Sequence, residues 1–141
     1  MGISEKEKEI IEEFDLFDEW ADKYQYIIEI GQKLKSLEDK YKIDENKIKG
    51  CQSTVWLHAF GEDGKIFFEA DSDSVFVKGE IALLMRVLSG QKADEIVNAE
   101  LKFIDVLGLR QHIAVTRANG LASMIKQMKL FALGIQSQQS A

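Results

Sequence analysis

The sole cysteine of this chain, Cys51, sits in IKGCQSTVWL, between Gly50 and the small polar pair Gln52-Ser53. A thiol becomes a nucleophile when it ionises, which takes access and nearby positive charge. Gly50 permits backbone geometry that exposes or steers the next side chain. Gln52 and Ser53 are poor core packers, unlike the neighbours of a buried, inert cysteine. Lys47 and Lys49 stand close in sequence, although side chains two apart on a strand can both point away.

Other chemistries find less support. A Cys–His pair for acyl transfer would need His58 or His112, and no protease signature surrounds either, so both read as polar or interface histidines. One Cys and two His without C-x-x-C or H-x-x-H spacing do not make a zinc set. An iron–sulfur cluster takes about four thiolates, so this monomer is a poor cluster scaffold. Asp71 and Asp73, two apart in a Ser-rich turn, read as a helix cap rather than an acid/base pair. Gly108 and Gly120 are isolated and form no phosphate cradle. The inventory is one nucleophile with no metal or cofactor of its own.

The elements that must position this thiol follow from periodicity. Ser4-Glu5-Lys6-Glu7 has capping-box form, with Ile10, Ile11, Phe14 and Phe17 at helical spacing behind it. Asp18 is placed to cap a second helix whose apolar face is Trp20, Tyr24, Ile27 and Ile28, ending near Leu34. A charged connection, 35–47, follows. Residues 48–50 read as a short strand, 54–60 as a β-branched and aromatic strand, 60–64 as a turn and 65–70 as the returning strand. Cys51 therefore lies in a loop at the entry to a strand.

Ile81, Leu84, Met85 and Leu88 mark a helix closed by Ser89-Gly90, with short helical pieces over 93–98 and 101–107. The last helix carries Leu121, Met124, Ile125, Met128 and Phe131 and is expected to stop at Gly134, with Met124 and Met128 in the core. The expectation is one α+β domain over 1–141, with frayed ends at 1–3 and 135–141. Its small antiparallel sheet of about three strands is flanked by N- and C-terminal helices.

Composition fits that size. The chain has 141 residues, 45% hydrophobic and 30% charged, enough for one real core. A net charge of −6 argues against nucleic acid as the main partner. MGISEKEKEI has no apolar h-region and no Ser or Thr at the sixth position, and no run approaches a membrane span. With a lone cysteine, these features lead us to expect a cytoplasmic protein.

One family pattern gathers these residues. Trp20, Lys23-Tyr24 and Ile27-Ile28-Glu29-Ile30-Gly31 are followed by Ile48-Lys49-Gly50-Cys51-Gln52-Ser53 with Val55-Trp56. Asp71-Ser72-Asp73 with Val77-Lys78-Gly79 come next, then Gln111-His112, Arg117 and Gly120-Leu121. In this order, from about Trp20 to Met128, the chain resembles the SufE family of sulfur acceptors. The resemblance implies a fold like that of SufE and the IscU-type scaffolds. It implies that Cys51 accepts persulfide sulfur from a PLP-dependent, SufS-like cysteine desulfurase, stimulates that enzyme, and passes the sulfur towards a SufBCD-like iron–sulfur assembly. Arg117 is implied as support for the thiolate or as a partner contact, and Gly50, Gln52, Ser53, Asp73 and His112 as support for the loop. Val115 stands where the family commonly has a proline, a departure that bears on the loop near Arg117 rather than on the thiol. The alternatives are an iron–sulfur scaffold using Cys51 across a dimer, and an interaction protein that keeps the fold without the relay. Whether the chain is a monomer or a homodimer stays open at this level.

Overall fold

The computed structural model describes residues 2–109 and 115–140, with side chains over 2–109 and 119–135. Helices α1 (Ile3–Phe14) and α2 (Trp20–Lys33) lead into two short 3-10 turns, Asp39–Tyr41 and Asp44–Asn46. Strands β1 (Val55–Glu62) and β2 (Lys65–Ser72) follow, then α3 (Val75–Leu88), β3 (Gln91–Lys92), α4 (Ala93–Val97), α5 (Phe103–Val106) and α6 (Val115–Ser140). The sheet order is β1-β2-β3, antiparallel throughout, as expected of a small α+β fold.

β1 and β2 form a hairpin in which Glu62 pairs with Lys65, leaving Asp63 and Gly64 as the two-residue turn. Both have positive φ, 53° and 78°, the combination that a primed turn requires and that matches the twist of the strands. The turn is thus shorter than the 60–64 read from sequence, because Gly61 and Glu62 still pair. The third strand is also not the expected one. Lys47 makes only an isolated bridge to Trp56 and Ile48 N–H donates to Val55 O at 2.9 Å, after which Gly50 turns the chain away. Gln91–Lys92 completes the sheet instead.

Alternation sorts the hairpin into two faces. Val55, Leu57, Ile66, Phe68 and Ala70 are buried on the inner face, where they join residues of α3 and of α6 (Leu121, Met124, Met128) in one core with Ile10, Phe14 and Ile27. On the outer face Tyr41 stacks on His58 at 3.9 Å between ring centres, and the Lys42 ammonium lies over the Trp56 ring. Residues 38–47 thereby strap the outside of the sheet.

Three expected caps are absent. Glu7, the far half of the capping box, accepts from the Phe103 N–H at 2.9 Å, so its carboxylate ties α1 to α5 rather than closing back on Ser4. Gly2 is the N-cap of α1, and Glu19 rather than Asp18 that of α2, with no side-chain bond at either. Asp71 and Asp73 do not cap α3. Ser74 does, accepting from Val77 N–H. Finally, α6 does not stop at Gly134 but runs to Ser140. A Cβ at Gly134 would meet nothing within 4 Å, so this glycine costs the helix propensity without removing a contact.

Candidate functional site

Gly50 sets the approach to the thiol. Its φ of 89° lies in the region that favours glycine, and a Cβ there would come within 2.6 Å of Ser123 Oγ on α6. The loop is thus laid directly against that helix. Cys51 follows, half-buried, and its S–H donates to the Gly120 carbonyl oxygen at 3.6 Å. Gly120 leaves space beside the sulfur, since a Cβ on it would sit 3.6 Å from Sγ. Around this point the loop, α3 and α6 enclose a cleft of about 100 Å³ lined by Cys51, Gln52, Ser53, Val77, Glu80, Gly120 and Met124.

The walls are fixed from behind. α2 and α3 cross at two glycines: a Cβ on Gly31 would lie 2.1 Å from Val75 O, and one on Gly79 would lie 2.0 Å from Ile27 O. The crossing admits no side chain at either position, and it holds Val77 and Glu80 at a set height beside the sulfur. The exit of the Cys51 loop is clamped at Thr54. Its N–H donates to Asp73 Oδ1 at 3.1 Å, and its carbonyl accepts from Asp73 N–H and Ser72 Oγ at 3.2 and 2.7 Å. Asp71 is buried beneath the strap, accepting from Leu37 N–H and meeting Lys42 and Lys78 at 3.2 Å each. The Asp-Ser-Asp run is therefore a clamp between strap, hairpin and loop.

The electrostatics of the free site favour a neutral sulfur. Burial pushes the Cys51 thiol above its ordinary value, and the carboxylate of Glu80 adds to the rise. Neutral thiols are slow nucleophiles, so the free cleft keeps the thiol in its less reactive form.

Cys51, Gln52 and Ser53 come together in the cleft as their sequence neighbourhood suggests, and Gly50 and Asp73 support the two ends of the loop. His112 lies outside the described residues. The backbone of Arg117 belongs to the first turn of α6, and its side chain lies outside the described residues. Val115, in the place of the expected proline, is the first residue of that helix. His58 lies against Tyr41 and does not line the cleft. Glu80 is the residue that sequence reasoning missed. It is 1% exposed on an otherwise apolar helix face, between Phe76 and Leu84 at helical spacing. A single carboxylate interrupting such a face was the available signal.

The SufE family, described as an Fe-S metabolism associated domain, matches residues 8–132. The chain belongs to the SufE family. An uncharacterized SufE-like protein of Rhizobium meliloti (strain 1021) is 41% identical over 131 residues, covering 89% of this chain and 94% of its own. SufE-like protein 1, chloroplastic/mitochondrial, of Arabidopsis thaliana is 40% identical over 132 residues, which is 93% of this chain but only 36% of that longer protein. A hypothetical protein of Thermus thermophilus, known from its solution structure, superposes with a TM-score of 0.77 at 19% identity. The superposition covers 94% of this chain and 96% of that one, a likeness of fold. Membership of the SufE family puts the chain in iron–sulfur metabolism.

Proposed function

We propose that this SufE-family protein is a sulfur acceptor and carrier working through a Cys51 persulfide. Its donor is a PLP-dependent, SufS-like cysteine desulfurase, which it stimulates by removing the product sulfur. The recipient is a SufBCD-like iron–sulfur assembly, and the setting is the cytoplasm. The observation that carries this reading is the placement of Cys51 Sγ in a cleft open beside Gly120, on a loop held at both ends.

The step balances without an oxidant. Cys51 releases its proton to solvent or to a base of the partner, and the thiolate attacks the outer sulfur of the donor's cysteine persulfide. The new S–S bond forms as the donor's S–S bond breaks, and the electron pair leaves on the donor cysteine sulfur. The product is the Cys51 persulfide, and a second exchange of the same kind passes the sulfur on. Shielding by Gln52, Ser53 and Met124 suits a cargo that reductants would otherwise strip. A loop that moves on docking would then deliver it.

The test is intact-mass analysis after incubation with a cysteine desulfurase, PLP and L-cysteine without reductant. A gain of one sulfur that DTT removes and that maps to Cys51 is expected, and Cys51→Ser should abolish both the gain and the stimulation. A free thiol that gains nothing from the desulfurase of the same organism would reject the proposal.

A further inference from the structure

Helix α6 turns Leu121, Met124, Met128 and Ala132 into the core. Its opposite row, Ala122, Lys126, Leu130 and Leu133, is exposed at helical spacing. Leu130 and Leu133 are 49% and 48% exposed, an apolar strip that nothing in the fold uses. Two depressions flank the row. One, of about 390 Å³, is walled by Lys47, Lys49, Ser123, Lys126, Leu130 and Phe131, together with Glu45. The other, of about 410 Å³, lies between α6 and α4 and includes Val97, Ile125, Lys126, Lys129, Leu130 and Leu133. Lys126 and Leu130, one turn apart, belong to both, so the two adjoin along α6. The surface also touches the thiol loop, because its Ser123 is the residue whose Oγ a Cβ on Gly50 would approach to 2.6 Å.

Its charge runs against that of the whole chain. The protein carries −6, yet here Lys47, Lys49, Lys126 and Lys129 stand with Asp44 and Glu45. Lys47 pairs with Asp44 at 3.0 Å, and Lys129 donates to the Ala99 carbonyl at 2.5 Å, which leaves its charge unmatched. Lys49 and Lys126 make no ion pair among the described residues. Cations around a half-exposed leucine strip complement a helix that carries carboxylates beside an apolar stripe. A second copy of this chain does not offer one in α1, its acidic helix, since Ile10 and Phe14 of that helix are already buried in their own core. Nucleic acid would match the lysines and leave the leucines uncovered.

We propose that the outward face of α6, with Lys47 and Lys49 at the entry to the Cys51 loop, is a docking surface for an acidic, apolar-faced helical segment of the sulfur donor. The inference deepens the sulfur-carrier reading and rests on it. A donor must bring its sulfur to a half-buried thiol, and a segment seated beside Ser123 holds it next to the loop that carries that thiol. The lysines steer the encounter and set its orientation, while burial of Leu130 and Leu133 supplies the affinity.

The test is the affinity for the cysteine desulfurase of the same organism, measured by isothermal titration calorimetry in a Cys51→Ser background, where no sulfur can move. Lys49→Glu/Lys126→Glu should raise Kd about tenfold or more and flatten its dependence on sodium chloride. Leu130→Ser, at a half-exposed position that the fold tolerates, should raise Kd several-fold and leave the salt dependence as it was. Lys8→Glu/Lys35→Glu makes the same change of charge away from α6 and should bind like the parent. A reversal variant no weaker than this control, or a Leu130→Ser variant as tight as the parent, would overturn the inference. So would a parent that binds vesicles containing an anionic lipid and shows no binding to the desulfurase. Sulfur loading, followed separately by intact mass with Cys51 restored, tells the two readings apart. Binding through α6 without loading would count against the carrier reading alone, and loading with an affinity that these variants do not move would count against the docking surface alone.

Discussion

Gly79 of α3 packs so tightly over Ile27 of α2 that a Cβ on it would fall 2.0 Å from the Ile27 carbonyl oxygen and 2.6 Å from its Cγ2. The nearest atom is backbone, which cannot rotate aside. Gly79→Ala must therefore push the two helices apart, with a net loss of about 1–3 kcal/mol even after the gain in helix propensity. Chemical denaturation measures it. Gly134→Ala, in open space, serves as the control and should be neutral or slightly stabilising. Equal stability in Gly79→Ala would mean that the crossing is looser than its geometry indicates.

Asp71 is the anchor of the strap. Burial pushes its carboxyl upward, but the N–H groups of Ser72 and Leu37 and the ammonium groups of Lys78 and Lys42 outweigh this and hold it below the ordinary aspartate value. A carboxyl lowered on folding stabilises the protein above its unfolded pKa, and that stability is lost as pH falls through the folded one. Acid should therefore loosen the strap only below the usual aspartate range. Asp71→Asn should cost roughly 1–3 kcal/mol at neutral pH, less than a fully buried ion pair because both lysines are partly exposed. The variant's stability should also lose part of its dependence on acid pH. Identical acid denaturation curves for the two proteins would refute this.

The thiol carries the opposite sign. Its pKa is raised on folding, so between the unfolded and folded values the native state holds a proton that the unfolded chain has released. Stability should fall as pH climbs from the ordinary thiol value towards the higher folded one, and Cys51→Ser should remove that slope. Alkylation of Cys51 should keep accelerating where an unperturbed cysteine has levelled off. Stopped-flow alkylation across alkaline pH checks this, and a plateau at the ordinary thiol value would contradict it.

Much of this architecture was legible in the residues. The alternation through Ile66, Phe68 and Ala70 and the helical spacing of Leu121, Met124 and Met128 report burial directly, and the structure buries all six. What failed was local grammar overruled by distant partners. Glu7 looks like half of a cap, yet Phe103, 96 residues away, takes it. Asp73 looks like a helix start, yet its carboxylate goes to Thr54 across the hairpin. Sequence spacing cannot reveal a partner that only the fold brings near. The same holds at the site, where Cys51 and its Gly50–Ser53 setting were visible in one stretch. The wall opposite, Glu80 with Gly120, comes from two other helices.

Gly120 gives the sharpest test of where the second sulfur rests. A Cβ there would lie 3.6 Å from Cys51 Sγ and 3.9 Å from its Cα and Cβ, ordinary contact distances, so Gly120→Ala should fold. Inside a helix the exchange even favours stability, by up to about 1 kcal/mol. Yet the new methyl takes up space in the cleft beside the sulfur, and a cleft of about 100 Å³ has little room to give. If the persulfide is sheltered there, Gly120→Ala should be as stable as the wild type or more so, and loaded with sulfur several-fold more slowly. Alkylation by a small reagent should change less. Time-resolved intact mass during desulfurase turnover separates the cases. Unimpaired loading in a stable variant would place the outer sulfur outside the cleft, and would mean that the Cys51 loop swings away from α6 before the sulfur arrives.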